Sequence, residues 1–431
     1  MGSKYEFCSL GDLADFSSGG TPSKKVTAYW NGNIPWISAK TLNKDDIYTS
    51  NLFITQEGLE AGSKIADAGS LLILTRGSGL FKDIPIGYVA APVAFNQDIK
   101  AISVADEDQI SSRFLFYALK SCKSRISEMV ETTGIGAGKL STDRLLSMKL
   151  PIPNKEIQQK ILSIVRPIDN RISLNNQIND YLVECMQALF NKHFNYNDPK
   201  IGSIYDIADV IYGAPFKSSL FNEKKEGYPL IRIRDLSTFS PQFYTTEDHP
   251  KRTFIEPGFV VAGMDAEFTP ILWLGERAVL NQRVCYFAPA TKTAVTPSYL
   301  LFALKPLLEF IQNYATGTTV AHMGKADLEA LDVALPYETD LIEFSKVAEP
   351  MRLQIVANAK ENVRFVELRN SLLPKLMSGE IDVSEIDVTQ LNNHLAHQWC
   401  TLLLSDGYNR SFPIVLLNVL FSLAYYLSYR R

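Results

Sequence analysis

The chain has 431 residues, of which 46% are hydrophobic and 21% are charged, and its formal net charge at pH 7 is −4. This length and composition predict a folded protein of two or more domains, and the negative charge argues against a protein that coats nucleic acid through bulk electrostatics. The five cysteines stand singly with no Cys-x-x-Cys pair, which argues against a zinc ribbon or a disulfide framework. A cytoplasmic protein without a secretory signal is expected.

Residues 1–153 are predicted to form a first domain of short strands and helices. Apolar runs such as residues 70–74 lie between Gly, Pro and Asn residues, as in β-structure. The pattern of Phe114 to Lys120 predicts an amphipathic helix. A helical region over residues 154–197 follows, with a long glycine-free pattern from Ile168 to Phe194. Pro167 is predicted to mark the start of that helix, where a missing N–H costs nothing.

The second half of the chain repeats the first in the same order. Residues 13–15, Leu-Ala-Asp, recur as Ile-Ala-Asp at 207–209, residues 114–120 recur at 299–305, and Leu-Pro at 150–151 recurs at 335–336. A duplicated unit with diverged loops explains these matches. The repeat predicts a second domain over residues 198–337 and a second helical region over 338–383, with Pro350 at the start of its helix.

The two long helices share a seam with the 4-3 spacing of a coiled coil. Its predicted members are Ile168, Ile172, Asn175, Asn179 and Leu182 in the first helix, and Met351, Ile355, Asn358, Asn362 and Phe365 in the second. We expect the helices to pack antiparallel, with the asparagines setting their register. The alternative is two amphipathic helices that each pack on their own domain. About 27 residues of helix extend roughly 40 Å, close to one turn of DNA. The predicted fold class is therefore α+β, with two repeated domains joined by an antiparallel coiled coil.

This arrangement resembles the specificity subunits of type I restriction-modification systems. The resemblance is carried by residues 174–179 (Leu-Asn-Asn-Gln-Ile-Asn), by residues 371–381 from Ser371 to Ile381, and by residues 316–323 from Thr316 to Met323, followed by Leu335-Pro336. It implies two target recognition domains that each read one half of a bipartite double-stranded DNA site. It also implies two methyltransferase subunits docked on the helices, and restriction/translocase subunits as further partners.

The resemblance also implies that this chain is noncatalytic and binds no cofactor or metal. S-adenosylmethionine would belong to the methyltransferase, and ATP and Mg to the restriction subunit. A fused-enzyme restriction system with the same kind of specificity subunit remains an alternative, which the sequence does not separate from the first.

Residues that contact DNA are expected among cations beside turns and among small residues that allow close backbone approach. The candidates in the first domain are Lys40, Arg76, Lys82, Thr133 and Gly134, and those in the second are Arg232, Arg234, Arg283, Thr316, Gly317 and Thr318. The alternative is that the cations form surface salt bridges and that the small residues belong to plain connecting loops.

Three catalytic interpretations are weak. The glycine-rich stretch 134–141 lacks the spacing and the Ser or Thr after Lys139 that a phosphate-binding loop needs. Asp98-Ile99-Lys100 has the shape of half a nuclease site, but its repeat counterpart at 283–285 does not. No Asn-Pro-Pro or Asp-Pro-Pro followed by an aromatic residue is present, as an adenine methyltransferase would require.

The C-terminal tail, residues 384–431, does not fit the resemblance. His394, His397 and Cys400 have metal-like spacing but lack a fourth ligand. The uncharged run from Ser411 to Tyr429 could span a membrane, cover a partner surface as an amphipathic helix, or be a tail without a selected fold. The last two are favoured, and a membrane partner is not expected. The apolar run nevertheless makes a membrane-tethered scaffold protein an alternative function.

Overall fold

The computed structural model describes residues 5–134, 136–314 and 322–386. The chain divides into two compact units. Unit 1 comprises Met1–Pro167 with Arg369–Arg431, and unit 2 comprises Ile168–Leu368. We call residues 5–153 head 1 and residues 198–337 head 2. Head 1 lies in unit 1 and head 2 in unit 2.

The elements up to the first long helix are, in chain order, β1 Tyr5–Ser9, α1 Leu10–Leu13, β2 Ala14–Ser18, β3 Trp30–Ile37, β4 Asp46–Ile47, β5 Phe53–Ile54, α2 Gln56–Glu60, β6 Lys64–Ala66, β7 Leu71–Leu74, β8 Arg76–Gly77, β9 Ile86–Val89, β10 Val93–Phe95, β11 Ile99–Val104, α3 Ser112–Ser121, α4 Lys123–Ser127, β12 Val130–Thr132, β13 Gly138–Leu140, α5 Thr142–Leu146, β14 Lys149–Pro153 and α6 Lys155–His193.

Head 1 is built on mostly antiparallel sheets. The largest has the order β2-β11-β7-β9-β4, and a second has the order β5-β3-β10-β6. A small sheet, β12-β13-β8, lies outside these two, and β1 pairs with β14. All four residues of β7 are buried, and so are Phe114, Phe116 and Tyr117 of α3. The apolar strand and amphipathic helix that the sequence predicts here therefore form the core of the head.

The remaining elements are β15 Ile201–Gly202, β16 Ala208–Tyr212, β17 Phe221–Asn222, β18 Tyr228–Ile231, β19 Phe243–Thr245, β20 Phe254–Ile255, β21 Val260–Gly263, β22 Ile271–Leu272, β23 Ala278–Leu280, β24 Val284–Pro289, α7 Pro297–Tyr314, α8 Lys325–Glu329, β25 Val333–Ala334 and α9 Glu338–Ser378.

Head 2 repeats the plan of head 1. Its sheet β16-β24-β21-β22 matches the β2-β11-β7-β9 part of the first head, and β15 pairs with β25 as β1 pairs with β14. The second large sheet has the order β17-β19-β18-β23-β20. Its β18 and β23 are parallel, as β3 and β10 are in head 1. The α+β fold class predicted from the sequence is confirmed.

The predicted helix starts at Pro167 and Pro350 are wrong, because both prolines lie inside longer helices. Helix α6 begins at Lys155 and α9 begins at Glu338. An internal proline removes one backbone hydrogen bond, a loss that packing can offset. Before Pro167, α6 buries Ile157, Ile161 and Val165; before Pro350, α9 buries Leu341, Phe344 and Ala348.

In unit 2 the two helices meet through amide side chains. Asn358 donates to the side-chain oxygen of Asn179 at 2.8 Å. Asn175 donates to Asn362 at 2.8 Å and to the carboxylate of Glu361 at 2.6 Å. The partner number falls as the residue number rises, so the helices run antiparallel here. All ten predicted seam residues are buried or half-buried: Ile168, Ile172, Asn175, Asn179, Leu182, Met351, Ile355, Asn358, Asn362 and Phe365.

The seam and the domain cores are continuous. Leu182 and Met186 of α6, and Met351 and Ile355 of α9, belong to the apolar core of head 2. The helices therefore pack on each other and on the head, and the two packing alternatives considered for the sequence coexist.

In the part of the chain that the structure describes, no helix is both long and apolar enough to cross a membrane. Within the same residues no group of three His, Cys, Asp or Glu side chains could hold a metal. The apolar run Ser411 to Tyr429 and the residues His394, His397 and Cys400 lie outside the described residues.

Candidate nucleic-acid interface

The small sheet of head 1 places two cations side by side. Arg76 on β8 lies directly opposite Lys139 on β13, and both side chains are exposed. Two backbone bonds fix this position: Thr75 N–H donates to the carbonyl of Asp98 at 2.8 Å, and Leu140 N–H donates to the carbonyl of Thr75 at 2.9 Å. Like charges opposite each other destabilise a strand pair. An anion bound between them would relieve that cost.

Neighbouring charges only partly compensate these cations. Glu131 on β12 also lies opposite Lys139, but its carboxylate forms an ion pair with Arg144 at 3.0 Å. The exposed Lys82 ends the short helical turn that follows β8. This edge of head 1 therefore presents the cations Arg76, Lys82 and Lys139, and the Glu131 carboxylate is shared with Arg144.

The loop between β12 and β13 offers backbone close to these cations. Thr133 closes it, since its N–H and its hydroxyl both donate to the carbonyl of Ala137, at 2.8 and 2.9 Å. Gly134 is exposed, and a Cβ added there would meet nothing within 4 Å. A phosphate could approach this backbone closely, as the sequence-based interpretation requires. Lys40 is also exposed, but it lies in the turn after β3.

Of the two candidate arginines in the turn after β18, one is held by its own head. The Nε of Arg232 lies 3.4 Å from the carboxylate of Asp235, and its guanidinium stacks on Phe243 at 4.2 Å from the ring centroid. Arg234 is exposed, and no described residue forms a hydrogen bond or an ion pair with its side chain. Arg232 thus stabilises the turn, whereas Arg234 points its charge to solvent.

Head 2 has the same backbone frame as the small sheet of head 1, with different side chains. Met264 N–H donates to the carbonyl of Arg283 at 3.0 Å, and Met323 N–H donates to the carbonyl of Met264 at 2.8 Å. Asp265 and His322 form the antiparallel bridge between these bonds. Asp265 therefore occupies the position of the arginine of head 1, His322 that of the lysine, and Arg283 that of Asp98.

Three charged or polar side chains converge in head 2. The Nε of Arg283 lies 3.5 Å from one oxygen of Asp265, and the Nδ1 of His322 lies 2.7 Å from the other. Arg283 and His322 are about half exposed, at 52% and 47%, and Asp265 is 29% exposed. Sequence reasoning found Arg283 but missed Asp265, His322 and Lys139. Thr316, Gly317 and Thr318 lie outside the described residues.

The two residues of the possible nuclease site, Asp98 and Lys100, are not brought together. The carboxylate of Asp98 accepts a hydrogen bond from Asn96 at 3.2 Å, whereas Lys100 donates to Ser18. Asp98 and Lys100 therefore have separate partners and do not form a shared site. Burial raises the pKa of the Cys285 thiol to about 12, so that thiol stays protonated at neutral pH.

Comparisons with known proteins agree on one family. A family model described as the type I restriction modification DNA specificity domain matches residues 2–183 and again residues 197–340. The specificity subunit of type I restriction enzyme MjaIX from Methanocaldococcus jannaschii is 26% identical over 422 residues, which cover 87% of this chain and 93% of that protein. The specificity subunit of the Escherichia coli enzyme EcoR124I/EcoR124II is 32% identical over 197 residues, 45% of this chain and 48% of that protein.

A solved structure shows the same fold at low identity. The S subunit of a type I restriction-modification system from M. genitalium aligns with 86% of this chain and 96% of its own, at 14% identity and a TM-score of 0.51. The family matches fall on both heads, and each match includes one of the two equivalent backbone frames.

Proposed function

The chain belongs to the type I restriction-modification DNA specificity family, and from that premise we propose that each head reads one half of a bipartite site in double-stranded DNA. The observation that carries this proposal is the duplication itself, since the family model matches once over each head. Two heads with one backbone plan and different exposed side chains suit two half-sites of different sequence.

We place the DNA contact of head 1 on its small sheet. Arg76, Lys82 and Lys139 supply the positive charge, and the backbone beside Thr133 and Gly134 approaches phosphate. In head 2 the proposal includes Arg283, from the equivalent backbone frame, and Arg234, which is exposed in the turn after β18. Thr316, Gly317 and Thr318 belong to the same proposal because of their place in the sequence, and Lys40 and Arg232 are its weakest members. The contacts are local, which suits a chain whose net charge is −4.

The two long helices fix the unread gap between the half-sites and dock two methyltransferase subunits. The amide hydrogen bonds among Asn175, Asn179, Asn358 and Asn362 support a fixed helix register. Methylation and restriction chemistry belong to the methyltransferase and restriction/translocase subunits, with S-adenosylmethionine, ATP and Mg bound there. The assembly acts on DNA in the cytoplasm.

Co-expression of this chain with its methyltransferase, followed by genome-wide mapping of methylated adenine, tests the proposal. We expect one bipartite motif with a gap of fixed length, which disappears when this chain is omitted. Arg234→Ala should relax the second half-site alone, because the residue lies in head 2. Methylation that is independent of this chain, or a motif without a gap, would contradict the proposal.

A further inference from the structure

One of the two equivalent positions carries opposite charges in the two heads: Arg76 in head 1 and Asp265 in head 2. The strand pair that presents Arg76 and Lys139 in head 1 presents Asp265 and His322 in head 2, on the same backbone bonds. A carboxylate on a DNA-facing surface repels phosphate, so it is unfavourable there unless it organises something else. In head 2 it lies against the guanidinium of Arg283.

The geometry fixes the position of one proton. An ionised carboxylate only accepts hydrogen bonds, so the 2.7 Å contact between Asp265 and Nδ1 of His322 requires a proton on Nδ1. The Nη1 of Arg283 lies 3.2 Å from the same nitrogen of His322. Both atoms then carry protons, so they do not form a hydrogen bond with each other. Asp265 is therefore the group that holds the arginine and the histidine together, with one oxygen for each.

We infer that Asp265 is a positioning residue for base reading by head 2: it holds the guanidinium of Arg283 so that its exposed edge faces a guanine in the major groove. This inference rests on the proposed function of head 2. An arginine reads guanine through two parallel N–H bonds, which demand a fixed fork. The Nε of Arg283 lies 3.5 Å from a carboxylate oxygen of Asp265 in an ion pair, and 52% of the arginine side chain remains exposed.

Replacing Asp265 by asparagine takes the carboxylate away from its two partners, Arg283 and His322. An asparagine at position 265 carries no charge, so it loses the ion pair with Arg283, although its one oxygen can still accept from His322. Its amide N–H group would also face a donor. Asp265→Asn therefore releases the guanidinium with almost no change in side-chain volume.

The test uses the full chain assembled with its methyltransferase and selected against a randomised double-stranded DNA library. The variants are Arg283→Ala, Asp265→Asn, their combination and Glu267→Gln. Glu267 is exposed and two residues away from Asp265, so its substitution removes the same charge without touching Arg283. The columns of the first half-site report in each variant that the complex has folded.

We expect Arg283→Ala to reduce the preference for guanine in one column of the second half-site by roughly 5- to 100-fold. Asp265→Asn should weaken that same column by roughly three- to tenfold, and the double variant should match Arg283→Ala, because the two residues act as one unit. Glu267→Gln should leave the motif unchanged.

If Arg283→Ala removes the column but Asp265→Asn behaves like Glu267→Gln, the inference is wrong and the proposed function stands. If Arg283→Ala weakens all columns equally, Arg283 is a phosphate contact and the inference is again wrong. A library without any bipartite enrichment would instead overturn the proposed function.

Discussion

Replacing Asn358 by leucine tests whether the amide network holds the two long helices together. Asn358 is 5% exposed, donates to Asn179 at 2.8 Å and accepts from Gln354 at 2.7 Å. Leucine removes both bonds and leaves two half-buried polar groups without these partners. Each such group costs about 1–3 kcal/mol when fully buried, and the added apolar surface offsets part of that cost. We therefore expect a local loss of about 2 kcal/mol.

Hydrogen exchange followed by mass spectrometry measures this loss in the helix peptides themselves, which matters because a protein with two units need not unfold in one step. A loss of about 2 kcal/mol corresponds to roughly 30-fold faster exchange around Asn179 and Asn358. Asn191→Leu is the control, since the side chain of Asn191 is exposed and accepts a hydrogen bond from Gln187 of its own helix.

The double variant Asn179→Leu with Asn358→Leu distinguishes register from simple stability. Replacing both partners by apolar groups leaves fewer unpaired atoms, so its cost should be clearly less than the sum of the two single costs. The pair should then slip or associate into mixed oligomers, as apolar seams do without a polar residue. Additive costs, or a monodisperse complex with unchanged exchange, would refute the reasoning.

Three further variants test the head cores and the DNA surface. Gln158→Ala should destabilise unit 1 by about 2–4 kcal/mol in urea unfolding, since this fully buried side chain makes three hydrogen bonds, whereas the exposed Gln159→Ala should not. Burial raises the pKa of Glu349, but bonds to Arg352 and Ser298 outweigh this and the net shift is downward. Glu349 therefore stabilises the fold above its ordinary pKa of 4.5 and less as pH falls below it, and Glu349→Gln should flatten that pH dependence of the melting temperature. Lys139→Ala should lower the salt slope of DNA binding by about one, measured by titration in rising salt.

The sequence predicts two heads with the same fold because the residues that repeat between them are mostly buried in the two cores. Leu71 to Leu74 and the apolar face around Phe114 form the core of head 1, and their counterparts form the core of head 2. Apolar runs bounded by turn residues, helical periodicity and the internal repeat located these elements. The starts of α6 and α9 were misplaced, because the preference of proline for the first turn of a helix takes no account of residues before it. Ile157 and Ile161, which precede Pro167 in α6, are buried.

The candidate site was harder to predict because a search for cations finds only one kind of contact. Arg232 matches such a search, yet a carboxylate three residues later holds it in its own turn. Lys139 escapes it, since its position opposite Arg76 depends on strand pairing between distant residues. Asp265 escapes it because acidic residues count against DNA binding until their partner is known.

The paired heads separate what the fold needs from what recognition needs. At the small sheet the fold needs the N–H and carbonyl groups of the backbone, and both heads make the same bonds there. The charge at the equivalent positions 76 and 265 therefore differs while the same backbone bonds are kept. Two half-sites of different sequence can then be read by one backbone, with an exposed arginine supplied directly in head 1 and, in the arrangement proposed for head 2, supplied by Arg283 and held in place by a carboxylate.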